Sequence, residues 1–487
     1  MPRIAAKLPR RRRRLCADED RLGDLPDDLL LDILRRLDTR TALGAAALSR
    51  RWASLPREVP VLDLKVSDIL PPRYHRCFRL REDARDSKIS STLSDRRLLE
   101  AITARYERRA MRSMVCSLKS LLASQARRRV ERLSLEVFAY STSACINRLV
   151  VDAVGASGIW RKPGESRLRS LKLANCLPPP LRGFNALTTL VLRDLPVPTP
   201  AAAYEEAVAA CPQLQVLHIL SCEIKITARR VVLDAPKSEI RELVLGGELV
   251  SVEIRSLPKL ESLASQEATV LLCSAAAAPC LAHVSLAFSV GRLEGGGLAG
   301  LNRSYRDFLI QRLVQFFQGA ITVKDLVLRF TGPEMWIMPE NPFSAMANLR
   351  RLLVADVPSS WDASWPRLLI ETAPLLESLY VHVSHSEGEP RQEVPGETSA
   401  SRHYHLKELV VIGFQRTERQ MRLVRFTVEV STALRRVALL KQGSVEDKGS
   451  CCDWEVVSQQ SAWCDEERLA VLDGIGCSTG QMEVVLS

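Results

Sequence analysis

A short apolar pattern, Leu-x-x-Leu-x-Leu, recurs through this 487-residue chain and constrains its fold more than any other feature. Eleven clear copies and a weaker one, which starts at Leu260, begin at Val130, Leu168, Leu187, Leu214, Ile240, Leu260, Leu281, Val323, Leu349, Leu376, Leu406 and Leu434. The alternation in the second half of the pattern is that of a strand with one buried face. One such strand cannot bury its apolar side chains alone, so the copies must stack into a parallel sheet over a shared core.

The spacing of the copies predicts a regular repeat. Steps of 27 and 26 residues separate Leu190, Leu217 and Leu243, and similar steps recur over residues 326–379. Such steps fall within the roughly 20 to 29 residues of a leucine-rich repeat. Prolines precede several strands and end the helices before them, which makes the unit helix, proline turn and strand. The sequence therefore predicts an α/β fold in which residues 126–440 form an irregular leucine-rich-repeat solenoid with a parallel sheet.

One side chain in each copy, between the two inward leucines, faces the concave side of the predicted sheet. From Val327 onward these side chains are all aliphatic or aromatic. The functional interpretation is an apolar platform for a protein or a small ligand, with Val327, Leu353, Tyr380 and Val410 as substrate contacts. The alternative, which we favour, is that loops cover this face or that the sheet is buried on both sides.

The net charge of +11 is partly concentrated in one block of five arginines at residues 10–14. Elsewhere Lys and Arg are interspersed with Asp and Glu, so we do not expect a nucleic-acid partner. Residues 1–20 are predicted to form a basic disordered arm. That arm is either simply solvated or a nuclear-import signal of the short basic type.

The apolar stretches are too short for a membrane-bound or secreted protein. The basic N-terminal residues are followed by "LCADEDRLGD", which lacks the apolar core of a signal peptide, and no run of about 18 apolar residues occurs. We expect a location in the nucleus or the cytoplasm and no membrane partner. The thirteen cysteines are scattered without a Cys-x-x-Cys pair, which predicts packed or free thiols.

No constellation of polar residues predicts catalysis. The glycines of "GRLEGGGLAG" are not followed by the Lys-Ser or Lys-Thr of a phosphate loop. A Gly-x-Ser-x-Gly at residues 476–480 leaves no room for the helix of a nucleophile elbow and is read as a turn. His382, His385, His403 and His405 cluster around a polar loop, where such residues occur without a metal. We therefore expect no enzymatic activity, no metal and no cofactor.

Two short amphipathic helices are predicted near the N-terminus, in "LPDDLLLDILRRLDTRTALGAAALSRRW". Pro26 suits a first helical turn, and Asp27 and Asp28 complement the positive end of the helix dipole. Apolar residues at helical spacing follow in both helices. About 35 residues bury too little apolar surface to be stable alone, so these helices need a partner or a neighbouring domain.

This stretch resembles the F-box. That family opens with Leu-Pro, continues with Ile-Leu-x-x-Leu and closes with an apolar residue before Ser-Arg-x-Trp, as residues 25–26, 33–37 and 48–52 do here. The N-terminal position before repeats is similar to that in plant F-box/leucine-rich-repeat proteins, some of which carry a C-terminal FBD segment. The resemblance implies adaptor contacts at Leu25, Pro26, Ile33, Leu34, Leu37, Leu48, Ser49 and Trp52.

The resemblance also implies a function. F-box proteins dock on a Skp-type adaptor that joins them to a cullin scaffold and a RING subunit, while their repeats hold a protein substrate. This chain would then be the non-catalytic substrate-recognition subunit of an SCF-type ubiquitin ligase. The alternative is a leucine-rich-repeat scaffold without a ligase role, whose opening helices cap the solenoid. Docking helices should stand exposed, whereas capping helices should be protected by the first repeat.

The domain boundaries follow from these assignments. The basic arm covers residues 1–20 and the F-box covers residues 21–60. Residues 61–125 are predicted to be a linker and helical region because they are polar and rich in arginine. The solenoid follows over residues 126–440. Residues 441–487 form a C-terminal segment, which the family resemblance implies to be FBD-like.

Overall fold

The computed structural model describes most of the chain. The basic arm, the glycine-rich stretch 291–300, His385 and residues 476–480 lie outside the described residues. Among the described helices, none is both long enough and apolar enough to cross a lipid bilayer. The described ranges are 25–86, 93–123, 130–137, 164, 166–176, 178–195, 199–221, 230–247, 251–289, 315–331, 346–359, 367–384, 402–449, 451–459, 463–475 and 482–487.

Within these ranges the chain contains eight α-helices and nineteen strands. The α-helices are α1 (Asp27–Arg36), α2 (Thr39–Gly44), α3 (Pro72–Asp86), α4 (Leu93–Ala123), α5 (Ala201–Ala210), α6 (Arg367–Thr372), α7 (Glu418–Val430) and α8 (Asp465–Ile475). The strands are β1 (Val61–Lys65), β2 (Arg132–Glu136), β3 (Ser170–Ala174), β4 (Thr189–Arg193), β5 (Val216–Leu220), β6 (Val231–Asp234), β7 (Glu242–Gly246), β8 (Ser251–Ser256), β9 (Ser262–Gln266), β10 (Thr269–Leu272), β11 (His283–Ser289), β12 (Asp325–Thr331), β13 (Arg351–Pro358), β14 (Ser378–Ser384), β15 (Glu408–Ile412), β16 (Arg436–Leu440), β17 (Gln442–Asp447), β18 (Trp454–Gln459) and β19 (Glu483–Leu486).

A 14-stranded sheet, the main sheet, dominates the fold. Its order is β1-β2-β3-β4-β5-β7-β9-β11-β12-β13-β14-β15-β16-β19, and the neighbouring strands run parallel. The recurring apolar pattern sets the register, because equivalent leucines pair directly, as Leu190 does with Leu217 and Leu217 with Leu243. These three side chains are at most 1% exposed. Every copy of the pattern, including the weaker one at Leu260, supplies one strand of this sheet.

The two edges of the main sheet come from segments outside the twelve predicted copies of the pattern. β1 pairs with β2, Val61 opposite Arg132, so the sheet begins at Val61 and not after residue 125. The predicted linker region therefore opens with a strand, and α3 and α4 follow it. At the other edge β19 pairs with β16, which makes part of the C-terminal segment an extension of the sheet. In the sequence β1 was overlooked, although residues 59–64 read Val-x-x-Leu-x-Leu, and β19 was missed because its segment has no apolar residue at the first position of the pattern.

The layer behind the main sheet is partly helical and partly stranded. Helices α5, α6 and α7 precede β5, β14 and β16, as the predicted unit of helix, turn and strand requires. In the middle of the chain β6, β8 and β10 take that place and pair in parallel as a second sheet. Buried β-branched side chains such as Val231, Val252 and Ile254 favour strands there. One aliphatic core lies between the two layers.

Candidate functional site

A small helical unit, residues 25–59, precedes the main sheet. In α1, Asp27 and Asp28 occupy the first turn. Asp38 caps α2 by accepting a hydrogen bond from the Thr41 backbone N–H at 2.9 Å, and its hydrogen bonds with Thr41 lower the pKa of its carboxyl group. The unit has a core of its own, formed by Leu30, Leu34, Ala42, Ala45, Trp52, Leu55 and Val59.

Polar contacts fasten this unit to the edge of the main sheet. The Thr39 hydroxyl accepts a hydrogen bond from the Asp63 backbone N–H at 2.7 Å. The Arg40 guanidinium donates to the Asp68 carbonyl oxygen at 2.6 Å. Helix α2 thus lies against β1 and covers part of an otherwise open edge strand. The unit leads directly into the sheet, without the linker that the sequence predicted.

Arg51 joins the two ends of the helical unit. Its Nε donates a hydrogen bond to Asp27 Oδ1 at 2.8 Å, and its guanidinium also contacts the Leu25 carbonyl oxygen. The start of α1 is thereby held beside the turn that carries Trp52. Sequence reasoning did not single out Arg51, because nothing local shows that it reaches a residue 24 positions away.

The eight predicted adaptor contacts fall into three environments. Leu34 and Trp52 are 0% and 7% exposed, so they support the core of the unit. Leu25 and Ile33 are half-buried against that core. The remaining four are exposed, namely Pro26, Leu37, Leu48 and Ser49. The Ser49 hydroxyl also accepts a hydrogen bond from the Trp52 N–H at 3.3 Å, which orders the turn.

Large apolar side chains stand in solvent on this unit. Leu29, Leu37 and Leu48, which we call the exposed leucine set, are 50%, 40% and 70% accessible. Leu29 was not among the predicted contacts. Burying a leucine side chain against a partner contributes on the order of 1.5–3 kcal/mol. Their exposure leaves apolar surface on the unit that a partner protein could cover.

The comparison with known protein families decides what this unit is. Residues 22–63 match the F-box domain. The chain contains an F-box domain. F-box domains in general bind Skp-type adaptors. The α1–α2 helical unit, its core and the exposed leucine set are thus parts of one recognised domain.

Plant relatives share this region of the chain. An F-box/FBD/LRR-repeat protein of Arabidopsis thaliana is 47% identical over 55 residues, 11% of this chain and 12% of the relative. An FBD-associated F-box protein of the same plant is 45% identical over 56 residues, 12% of each chain. The meiotic F-box protein MOF of Oryza sativa subsp. japonica is 41% identical over 101 residues, 19% of this chain and 21% of the relative. The similarity thus spans about a fifth or less of these relatives.

A hairpin of the chain itself covers the predicted apolar platform. Strands β17 and β18 pair antiparallel, and Val445 and Trp454 of this hairpin pack on Val327, Leu353 and their neighbours. Val445 and Val456 also pack on the cluster around Val410.

As a result, Val327, Leu353 and Val410 are at most 5% exposed, and Tyr380 is half-buried. The predicted substrate platform is therefore corrected: the alternative, in which the chain covers this face, is the arrangement in the structure. The burying segment is mostly polar, so its strands gave no strong apolar signal.

Aromatic and charged contacts fix the hairpin in place. The ring of Tyr380 meets that of Trp454 edge to face at 4.8 Å, and the Arg351 guanidinium lies 4.8 Å above the same Trp454 ring. The Tyr380 hydroxyl donates to Glu408 Oε2 at 2.5 Å. Burial, and then this hydrogen bond, raise the pKa of Tyr380 to about 12. At neutral pH the hydroxyl therefore stays a donor.

Among the described residues, the face that the sequence predicts to be concave stays accessible nearer the F-box. Lys172 is exposed there, and Val191, His218 and Val244 are half-buried. His218 Nε2 lies 2.8 Å from Glu242 Oε1. This accessible surface mixes apolar and charged groups, and we call it the open concave face.

The histidine cluster offers no metal site within the described part of the chain. His382 Nδ1 is 3.0 Å from Asp356 Oδ1. His403 donates from Nε2 to the Ala373 carbonyl oxygen at 3.0 Å and accepts at Nδ1 from the Leu406 N–H at 3.1 Å. Both nitrogens of His403 are thus engaged with the backbone. No group of three or more possible ligands occurs among the described residues.

His403 predicts a pH dependence of stability. Burial lowers its pKa below the usual value of about 6.5, because the protonated ring would lose solvation. In the unfolded chain His403 then binds a proton near pH 6.5, whereas in the folded chain it binds that proton only at a lower pH. The free energy of unfolding should therefore fall as the pH drops below about 6.5 and stay level above it. Denaturant titrations at several pH values check this, and H403Q should remove that part of the slope; an unchanged slope contradicts the assignment.

Proposed function

We propose that this protein is the substrate-recognition subunit of an SCF-type ubiquitin ligase. The F-box domain and the exposed leucine set support docking on a Skp-type adaptor, and through it on cullin and RING subunits. The repeated parallel strands behind it support a leucine-rich-repeat solenoid that holds a target protein. We also propose that residues 441–487 are an FBD-like segment, since several relatives that share the F-box region have FBD in their names.

The proposed mechanism relies on proximity alone. A bound target would present its lysines near a ubiquitin thioester carried elsewhere in the complex, which raises their effective concentration. The chain need not supply a reacting group for this. Its nuclear or cytoplasmic location is part of the same proposal, since the other subunits act there.

Substrate binding is proposed for the open concave face. The strip further along the sheet, including Val327 and Leu353, is filled by the β17–β18 hairpin. Around His218 the face offers both apolar contacts and the Glu242 carboxylate. Interfaces that combine such groups gain specificity from the polar partners.

A reconstituted reaction tests the proposal. The chain is mixed with a plant Skp-type adaptor, cullin, RING subunit, activating and conjugating enzymes and ubiquitin, and modified lysines on the chain are mapped by mass spectrometry. We expect ubiquitin transfer that requires the adaptor and is lost when the exposed leucine set is altered. Transfer that is absent from a fully assembled complex would contradict the proposal.

One observation favours the scaffold alternative. Helix α2 lies on β1 and so caps the first edge of the main sheet, as an end cap of a repeat array does. Capping and docking use different sides of the unit, because Leu29 and Leu48 remain exposed. A well-folded chain that binds no Skp-type adaptor would favour the scaffold.

A further inference from the structure

The turn of the β17–β18 hairpin carries two adjacent cysteines, Cys451 and Cys452. The turn is closed by a hydrogen bond from the Lys448 N–H to the Asp453 carbonyl oxygen at 2.9 Å. Cys452 Sγ lies 3.6 Å from the Leu263 carbonyl oxygen of β9, to which its thiol donates. The Cys452 thiol thus anchors the tip of the hairpin on the main sheet. Its acceptor residue, Leu263, lies 189 positions earlier in the sequence.

The two sulfur atoms are already close. Cys451 Sγ and Cys452 Sγ are 3.5 Å apart, and a disulfide bond requires about 2.0 Å. A movement that closes a gap of about 1.5 Å would bring them into bonding distance. The residues are consecutive, so the bond forms within the hairpin turn itself.

The two thiols differ in accessibility. Cys451 is half-buried, whereas Cys452 is 9% exposed. The hydrogen bond with Cys451, followed by burial, raises the pKa of the Cys452 thiol above its usual range. An oxidant should therefore react first with the more accessible Cys451, since the thiolate is the reactive form.

We propose that Cys451 and Cys452 are an oxidation site. A peroxide oxidises the two thiols to a disulfide bond between these adjacent residues. The Cys451 thiolate attacks one peroxide oxygen, which breaks the O–O bond, forms a sulfenic acid and releases hydroxide or alkoxide. Cys452 sulfur then attacks the Cys451 sulfur and expels the oxygen as water. Two thiols are oxidised, the peroxide is reduced by two electrons, and both thiol protons end in water or alcohol. The inference is independent of the proposed ligase function.

Oxidation has a structural consequence. The disulfide removes the S–H donor that Cys452 offers to the Leu263 carbonyl oxygen. Adjacent Cα atoms lie about 3.8 Å apart, which is less than the roughly 4.4–6.8 Å usual for a disulfide, so the bond is strained and readily reduced. The proposed site is thus a reversible one that loosens the hairpin from the face it covers.

Mass spectrometry of the intact chain tests the site. Reduced protein is treated with hydrogen peroxide, alkylated and digested, with and without dithiothreitol before alkylation. We expect the peptide with Cys451 and Cys452 to lose two hydrogens and take up no alkyl group, and dithiothreitol to restore both alkylations. The exposed thiol of Cys464 serves as an internal control that cannot form this bond.

Two further measurements sharpen the test. C451S and C452S should each abolish the two-hydrogen loss, and hydrogen exchange over residues 442–459 should rise at least threefold on oxidation of the wild type only. Double alkylation that persists at a peroxide dose that oxidises Cys464 would overturn the site. Exchange that is unchanged in the fully oxidised protein would overturn the loosening of the hairpin.

Discussion

Replacing Leu29 and Leu48 together with aspartate is expected to weaken binding to a Skp-type adaptor roughly a hundredfold or more, about 2.7 kcal/mol. Both side chains are largely exposed, so the double variant should fold. In the complex, each aspartate would place an unpaired charge against an apolar surface, which costs several kcal/mol. Calorimetric titration of wild type and variant with the adaptor gives the two dissociation constants.

A matched control separates docking from a general effect of added charge. Leu469 on α8 is 67% exposed, nearly as exposed as Leu48, but belongs to the other end of the sequence. L469D should leave adaptor affinity within about twofold of wild type. An equal loss of affinity in L469D and in L29D/L48D, or no loss in either, would contradict the exposed leucine set as the docking surface.

Gly413 supports the second large effect. It follows β15 with φ +76°, a conformation that L side chains rarely adopt, and an added Cβ would stand against the Val383 carbonyl oxygen well inside van der Waals distance. G413A should therefore lower the free energy of unfolding by roughly 2–5 kcal/mol through backbone strain and displacement of β14. Denaturant unfolding followed by circular dichroism measures the loss.

Gly449 provides the matched control for this substitution. It has φ +86° in the hairpin turn, but among the described residues nothing lies within 4 Å of the position that an alanine methyl group would occupy there. G449A should therefore cost only the conformational strain, about 1 kcal/mol. Equal losses in G413A and G449A would show that the Val383 carbonyl does not restrict the position.

Most strands of the main sheet were predictable because each copy of the apolar pattern places its leucines at the same positions, so that equivalent leucines pair between neighbouring strands. Leu217, for example, is buried and pairs with equivalent leucines on both sides. The edge strand β1 was overlooked although residues 59–64 carry the pattern, and β19 was missed because its segment lacks the first apolar position. The β17–β18 hairpin was missed for a different reason: its strands are mostly polar, and only a few side chains such as Val445 and Trp454 pack on the sheet.

The F-box region was predictable from its motif. Which leucine side chains point into the core and which point into solvent was not predictable. Helix α1 carries apolar residues on more than one face, so spacing alone does not separate the core from the docking surface. The structure separates them, since Leu30 and Leu34 are fully buried while Leu29 is 50% exposed. Ile33, which the motif implied as an adaptor contact, is half-buried against the core, and an aspartate there would disturb folding as well as docking.

Binding of the full chain to a purified plant Skp-type adaptor is the most direct measurement of the central claim. Isothermal titration calorimetry of the folded wild-type chain should give one adaptor per chain with a dissociation constant below about 1 μM. Hydrogen exchange on the same complex should show protection at Leu29, Leu37 and Leu48, with the main sheet unchanged. A folded chain that gives neither heat nor protection would contradict the claim that its F-box domain is a docking unit.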